Sequence, residues 1–229
     1  TLANGVAHDF NNILSAIMGF TELVTDEVAE GTLARRNLEE VLKANRRAKA
    51  LVQQILTFSR PGQQEHQSTQ PHLIIEEVLT FLRASLPSTI EIRYQLDKPA
   101  GPVTISASQL QQVLTNLCAN AIQALGDGGG VVEVGLQRMD RENDLVVAQK
   151  NLSPGPYIKL TVRDTGCGMP PRVQERIFEP FFTTRPVGEG NGLGLAIVHG
   201  IVTGCGGGIM VASALGRGTT FEVYLPESE

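Results

Sequence analysis

Apolar residues in the first 60 positions recur with a helical period. In the first stretch they fall at Val6, Phe10, Ile13, Ile17, Phe20, Val24 and Val28, mostly in alternating steps of four and three. That spacing predicts a helix with a coiled-coil seam about three heptads long. Gly31 breaks the pattern, and a second stretch follows with Leu38, Val41, Asn45, Ala48, Val52 and Ile55 on one side. Arg35, Arg36, Glu39, Glu40, Lys43, Arg46, Arg47 and Lys49 fall mainly on other faces. Two amphipathic helices around a short turn make an antiparallel hairpin over residues 1–60. Alone, such a hairpin buries too little apolar surface. Pairing with a second copy into a four-helix bundle is the physical expectation, and with it a homodimer.

Residues 61–71 (PGQQEHQSTQP) are polar, glutamine-rich and bracketed by prolines, which reads as a linker. From His72 to the end, at 229, the texture changes. The pattern predicts a helix over 73–86, a strand over 90–96 and a short strand over 103–105. Ser108 is the expected N-cap of a helix running through Leu125, ended by the glycines at 126 and 128–130. Strands are expected over 131–137 and 157–164, joined by a polar loop around 140–144. A helix near 193–203 and strands near 208–213 and 219–225 close the chain. The whole is thus an α+β multidomain chain, a helical hairpin followed by a two-layer α/β sandwich.

Composition narrows the function classes. Hydrophobic content of 41% with 19% charge is that of a folded globular protein. A formal net charge of −5 argues against nucleic acid as a partner, since no broad basic surface would gather phosphates. No apolar run approaches the roughly 20 residues that span a bilayer, so no direct membrane contact is expected of this stretch. The first residue is Thr1, inside a helical pattern, so the chain reads as a cytoplasmic piece of a longer protein that a membrane anchor elsewhere would not contradict. Cys118, Cys167 and Cys205 lack metal spacing, and packed free thiols are the simplest reading.

Chemistry gathers at a few points. His8 lies two positions past the seam residue Val6 and therefore points off the apolar stripe. Asp9 can accept a proton from its ring and orient it, and Asn12, one turn on, can position water or a phosphoryl group. Asn116 and Asn120 share one face of an otherwise apolar helix, where two amides could serve a Mg²⁺ that also holds phosphates. Asp164-Thr165-Gly166-Cys167-Gly168 follows a strand; a buried aspartate there suits the exocyclic amine of adenine, and Gly166 and Gly168 let a base approach the backbone. Gly188-Glu189-Gly190-Asn191-Gly192-Leu193-Gly194 runs straight into an apolar helix, offering free N–H groups and a positive dipole end to phosphate oxygens. It is neither GxxxxGK[ST] nor a complete GxGxxG. The aromatic patch Ile177-Phe178-Glu179-Pro180-Phe181-Phe182-Thr183-Thr184-Arg185 is either a core plug or a hinge beside that glycine loop.

In this order, these boxes resemble those of sensor histidine kinases over almost the whole chain. His8-Asp9-Phe10-Asn11-Asn12 looks like the H box, 116–121 the N box, 164–168 the G1 box, 178–184 the F box and 190–195 the G2 box. Gly216-Arg217-Gly218-Thr219-Thr220-Phe221 looks like the last glycine box. The resemblance implies a histidine-phosphotransfer hairpin joined to a Bergerat (GHKL) ATP-binding domain over 72–229, with ATP and Mg²⁺ as cofactors. It implies that His8 takes the γ-phosphoryl group, Asp9 assists as base and Asn120, with Asn116 nearby, holds Mg²⁺. Asp164 would contact adenine, and Gly190, Gly192, Leu193 and Gly194 would cover the phosphates, with Thr184 and Arg185 as further phosphate contacts. The partner implied is a response regulator or fused receiver domain.

Two departures from the family pattern stand out. Ile13 occupies the place, five residues after the histidine, where many members carry a helix-bending proline; this HDFNN form is similar to that of hybrid sensor kinases. Ala119 precedes Asn120 where gyrase-like ATPases put a water-activating glutamate, which fits transfer to a side chain rather than hydrolysis. A phosphatase-dominant enzyme using Asn12, a nucleotide-sensing scaffold and a gyrase- or chaperone-like ATPase are the competing readings.

Overall fold

The computed structural model describes residues 2–42, 44–45, 68–97, 100–139, 152, 155–185 and 192–228; for residues 2–12, Ser68 and Ser85 it gives the backbone only. Two compact units, Thr1–Gln63 and Gln64–Glu229, make up the chain. In the first unit, helix α1 spans Leu2–Glu27 and helix α2 covers residues 33–42 and 44–45. Gly31, at φ 79°, makes the turn between them. Thr32 caps α2 by accepting from the Arg35 N–H at 3.2 Å. The Arg35 guanidinium reaches back to the end of α1, to Thr25 O at 3.0 Å and, just past the helix, Val28 O at 2.9 Å. A cation there satisfies orphan acceptors and opposes the negative helix end. Farther along, Asn45 Nδ2 donates to Leu14 O at 2.8 Å and ties the two helices side by side.

The seam residues Ile13, Ile17, Phe20 and Val24 do not pack α1 against α2; these side chains are 57%, 44%, 71% and 47% exposed. The face turned inward lies one residue later, at Leu14, Met18, Thr21 and Thr25, and Asn45 of α2, itself buried, bonds to it at Leu14. Thr21 and Thr25 can be covered because their hydroxyls donate to carbonyls one turn back, both at 2.7 Å. The more apolar stripe is therefore left over, facing out.

The second unit is a two-layer sandwich. Strands β2 (Ile90–Leu96), β4 (Gly130–Met139), β5 (Tyr157–Asp164), β7 (Gly218–Pro226) and β6 (Gly208–Ala214) form one sheet in that spatial order. β2 and β4 run parallel and the other neighbours antiparallel. Helices α3 (Pro71–Ser85), α4 (Ala107–Leu125) and α6 (Gly194–Gly204) supply the other layer, and a short α5 spans Pro171–Gln174. The core between the layers combines Ile75 and Leu79 of α3, Leu110, Leu114 and Leu117 of α4 and Val198 and Val202 of α6. Val132, Val134, Ile158, Leu160, Val162 and Val223 of the sheet meet them. Alternation explains the sheet face: Ile158, Leu160, Val162 and Asp164 point inward along β5, Lys159, Thr161 and Arg163 outward.

Two boundaries move relative to the sequence. The linker ends before Ser68, because β1 (Ser68–Thr69) pairs antiparallel with β3 (Val103–Thr104) and Thr69 Oγ1 donates to Ile105 O at 2.6 Å. Pro71 then opens α3, where a residue without an N–H costs nothing. The N-cap of α4 is Ser106, not Ser108. Both Ser106/Gln109 and Ser108/Gln111 fit a capping box, and the chain closes the first, with bonds of 3.2 and 3.3 Å between the pair. The expected loop around 140–144 lies outside the described residues, as does the stretch of α2 sequence from Arg46 to Ile55.

Candidate nucleotide site

The site is built where α4, the β5 end and the start of α6 meet. α4 carries Asn116 and Asn120 one turn apart, half-buried along the border of the buried stripe of Leu110, Val113, Leu114 and Leu117. Asn116 Nδ2 donates to Gln112 O at 2.9 Å, which fixes the amide and leaves Oδ1 directed at the start of α6. A methyl group placed on Gly194 would sit 3.0 Å from Asn116 Oδ1 and 3.9 Å from Asn120 Nδ2. The first residue of α6 thus lies beside both asparagines, across some 75 residues of chain. Among the described residues no side chain caps that helix end, and its positive dipole end suits an anion.

At the C-terminal end of α4, by Ala124 one turn past Asn120, stands Asp164, 3% exposed. Its Oδ1 accepts from the N–H groups of Gly166 at 2.8 Å and Thr219 at 3.2 Å. Neither bond uses Oδ2, which is left as an acceptor for a ligand donor. Burial pushes this carboxyl above the usual 3.8, and the two N–H bonds pull against that rise. Gly166 is required sterically: a Cβ there would lie 2.5 Å from Ala124 O. The Cys167 N–H donates to that same carbonyl at 3.0 Å, tying the Asp164 turn to the end of α4. Thr219 was not singled out as a site residue from the sequence; the glycine box around it was the available signal.

Not every expected residue joins this group. Thr184 is exposed, the Arg185 N–H donates to Thr183 Oγ1 at 3.2 Å, and neither bonds to Asn116, Asn120 or Asp164 among the described residues. Leu193 is buried and Gly192 lies beside the aromatic patch. Gly190 lies outside the described residues. His8, Asp9 and Asn12 are placed in α1 by backbone alone, and their side chains lie outside the described ones. Cys118 is packed, its thiol pushed up to about 12 by burial, and Cys205 is partly buried. Cys167 is exposed, contrary to the packed reading, because its backbone and not its side chain is used in the turn. A depression of about 890 Å³ near Arg93, Glu133, Arg163 and Arg217 lies on the helix-free face of the sheet, opposite Asp164. It is a separate surface of solvated arginine–glutamate pairs.

Comparison with known proteins decides the family. Residues 105–229 match the family described as "Histidine kinase-, DNA gyrase B-, and HSP90-like ATPase", and residues 1–64 match "His Kinase A (phospho-acceptor) domain". The chain belongs to the histidine kinase family. Among curated relatives, Sensor kinase CckA of Brucella abortus is 36% identical over 98% of this chain and 24% of its own length. AtoS and ZraS of Escherichia coli K12 are 31% and 32% identical over 98% of this chain, and over 34% and 45% of their own lengths. This kinase core therefore spans between a quarter and a half of the relatives it matches. In fold it superposes on full-length ShkA in complex with AMPPNP with a TM-score of 0.77 at 23% identity, over 98% of this chain and 45% of that one. The mycobacterial kinase MprB matches over 71% of this chain and 97% of its own, with a TM-score of 0.55 at 29% identity.

Proposed function

We propose that this kinase core binds ATP with Mg²⁺, phosphorylates itself on His8 and passes the phosphoryl group to an aspartate of a response regulator or a fused receiver domain. The observation that carries the reading is the arrangement of three parts along α4: the start of α6 at Gly194, the amides of Asn116 and Asn120 beside it, and Asp164 with one carboxylate oxygen left to accept. Asp164 Oδ2 suits the exocyclic amine of adenine, and the α6 end suits phosphate oxygens. Asn120, with Asn116 beside it, would hold Mg²⁺, which when bound neutralises charge on the phosphates. Gly190 to Gly194, with Thr184 and Arg185, would cover the phosphate tail.

His8 attacks as a neutral imidazole. One ring nitrogen forms the N–P bond, the bond from γ-phosphorus to the bridging oxygen breaks, and ADP leaves. Asp9 accepts a hydrogen bond from the N–H on the other nitrogen and balances the positive charge that develops on the ring. Asn12, one turn beyond, serves the reverse task by positioning water against a phospho-aspartate on the partner. The experiment is incubation with γ-labelled ATP and Mg²⁺. Label that survives alkali and is lost in acid is expected; acid-stable label, or none despite nucleotide binding, overturns the proposal.

The same reading assigns the exposed stripe Ile13, Ile17, Phe20 and Val24 to a second copy, giving a four-helix bundle with 1–60 as the dimerisation unit. Replacing Ile17 and Phe20 together with glutamate is expected to turn a dimer into a monomer in sedimentation velocity. A wild-type monomer, or a double variant that stays dimeric, contradicts the assignment.

A further inference from the structure

Phe181 is the one non-glycine residue among those described with a left-handed backbone, at φ 67°. The residue is 64% exposed, so packing of the side chain does not enforce that conformation. Bulky L-residues avoid this region because Cβ crowds the following carbonyl, and a persistent outlier calls for a role. The backbone shows one. The Phe181 N–H donates to Gly192 O at 3.0 Å. Gly192, itself at φ 63°, has no space for a side chain: a Cβ would lie 2.7 Å from the carbonyl oxygens of both Phe181 and Phe182. The turn carrying Phe181 is anchored in its own right, by Phe182 N–H to Glu179 O at 3.2 Å, by an Arg176–Glu179 ion pair at 2.9 Å and by the Arg176 guanidinium 4.3 Å over the Phe182 ring. Two residues beyond Gly192 is Gly194, the residue beside Asn116 and Asn120.

We infer that Phe181 is a positioning residue of the phosphate half of the nucleotide site. By holding a left-handed turn it lets its backbone press on Gly192, and that contact sets the start of α6 against the two asparagines. The ring is incidental to this task; the backbone conformation carries it. The inference rests on the proposal that this site binds ATP.

The test is a conformational series, Phe181→Gly, Phe181→Ala and Phe181→Val, in the full chain. Glycine takes the left-handed turn freely, alanine tolerates it about as phenylalanine does, and β-branched valine resists it. Binding of a non-hydrolysable ATP analogue with Mg²⁺ and of adenosine is measured for each. The glycine and alanine variants are expected to keep analogue affinity within about twofold, and the valine variant to lose about fivefold or more. Adenosine, which lacks the phosphates, should bind all three and the wild type alike. A valine variant with wild-type analogue affinity overturns the inference. So does a loss by glycine and alanine equal to that of valine, which would give the role to the ring, or a valine variant that loses both ligands equally, which would mark a general loss of structure. If the wild type binds neither ligand, the ATP reading beneath the inference has failed instead.

Discussion

Replacing His8 with glutamine is expected to bring the acid-labile label to background, a loss on the order of a thousandfold or more. Glutamine is similar in reach and can still accept and donate hydrogen bonds, but the lone pair of its amide nitrogen is delocalised into the carbonyl and does not attack phosphorus. Nucleotide affinity should change by less than about twofold, because Asp164, Asn116, Asn120 and Gly194 all lie in the other compact unit. That split separates loss of the acceptor from loss of the donor. Equal labelling of wild type and variant would remove His8 from the account, and residual dephosphorylation of a phospho-aspartate partner would point to Asn12.

The second large effect is at Asp164. In Asp164→Asn the retained oxygen can still accept from Gly166 and Thr219, so the turn and the fold are expected to persist. The new NH₂ group, however, takes the place of Oδ2 and faces the amine of adenine, donor against donor. A buried donor left unpaired costs about 1–3 kcal/mol, so nucleotide affinity should fall roughly 10- to 100-fold. Titration calorimetry on both proteins checks this; a change under threefold would show that Oδ2 does not read the base.

Acid dependence follows from the same carboxyl. Burial raises it above 3.8, and only the ionised form accepts at both oxygens. Wild-type nucleotide affinity should therefore weaken on acidification through a midpoint above 3.8, a step that Asp164→Asn lacks. For folding the sign is opposite to that of a salt-bridged aspartate. The native state holds its proton to higher pH than the unfolded chain does, so this group's contribution falls as pH rises from the unfolded value through the native one. Comparing stability of the two proteins across the acidic range reads that difference directly.

Much of the catalytic half was legible because its signals are local. Alternation along 157–164 gave β5 its bounds, and the paired asparagines sat where a one-turn spacing on an apolar helix places them. The hairpin was legible in kind but not in detail. Apolarity alone favoured the stripe from Ile13 to Val24, whereas the chain packs the neighbouring stripe and hides Thr21 and Thr25 by bonding their hydroxyls back to their own helix. Ser108 and Ser106 carry the same capping pattern two residues apart, and only the tertiary setting selects between them. The left-handed turn at Phe181 was invisible, since nothing in a phenylalanine announces it. The placement of Gly194 beside Asn116 and Asn120 joins segments far apart in sequence, and no local pattern encodes it.

The central claim is that the phosphoryl group leaves ATP for one imidazole in the helical hairpin. The sequence has four histidines, His8, His66, His72 and His199, which makes the claim sharp. Peptide mapping by mass spectrometry, with the protein kept alkaline after reaction with ATP and Mg²⁺, locates the modification. The account predicts phosphohistidine at His8 and at no other position. Phosphorylation at His66, His72 or His199, or on a hydroxyl or carboxylate with His8 unmodified, would contradict it.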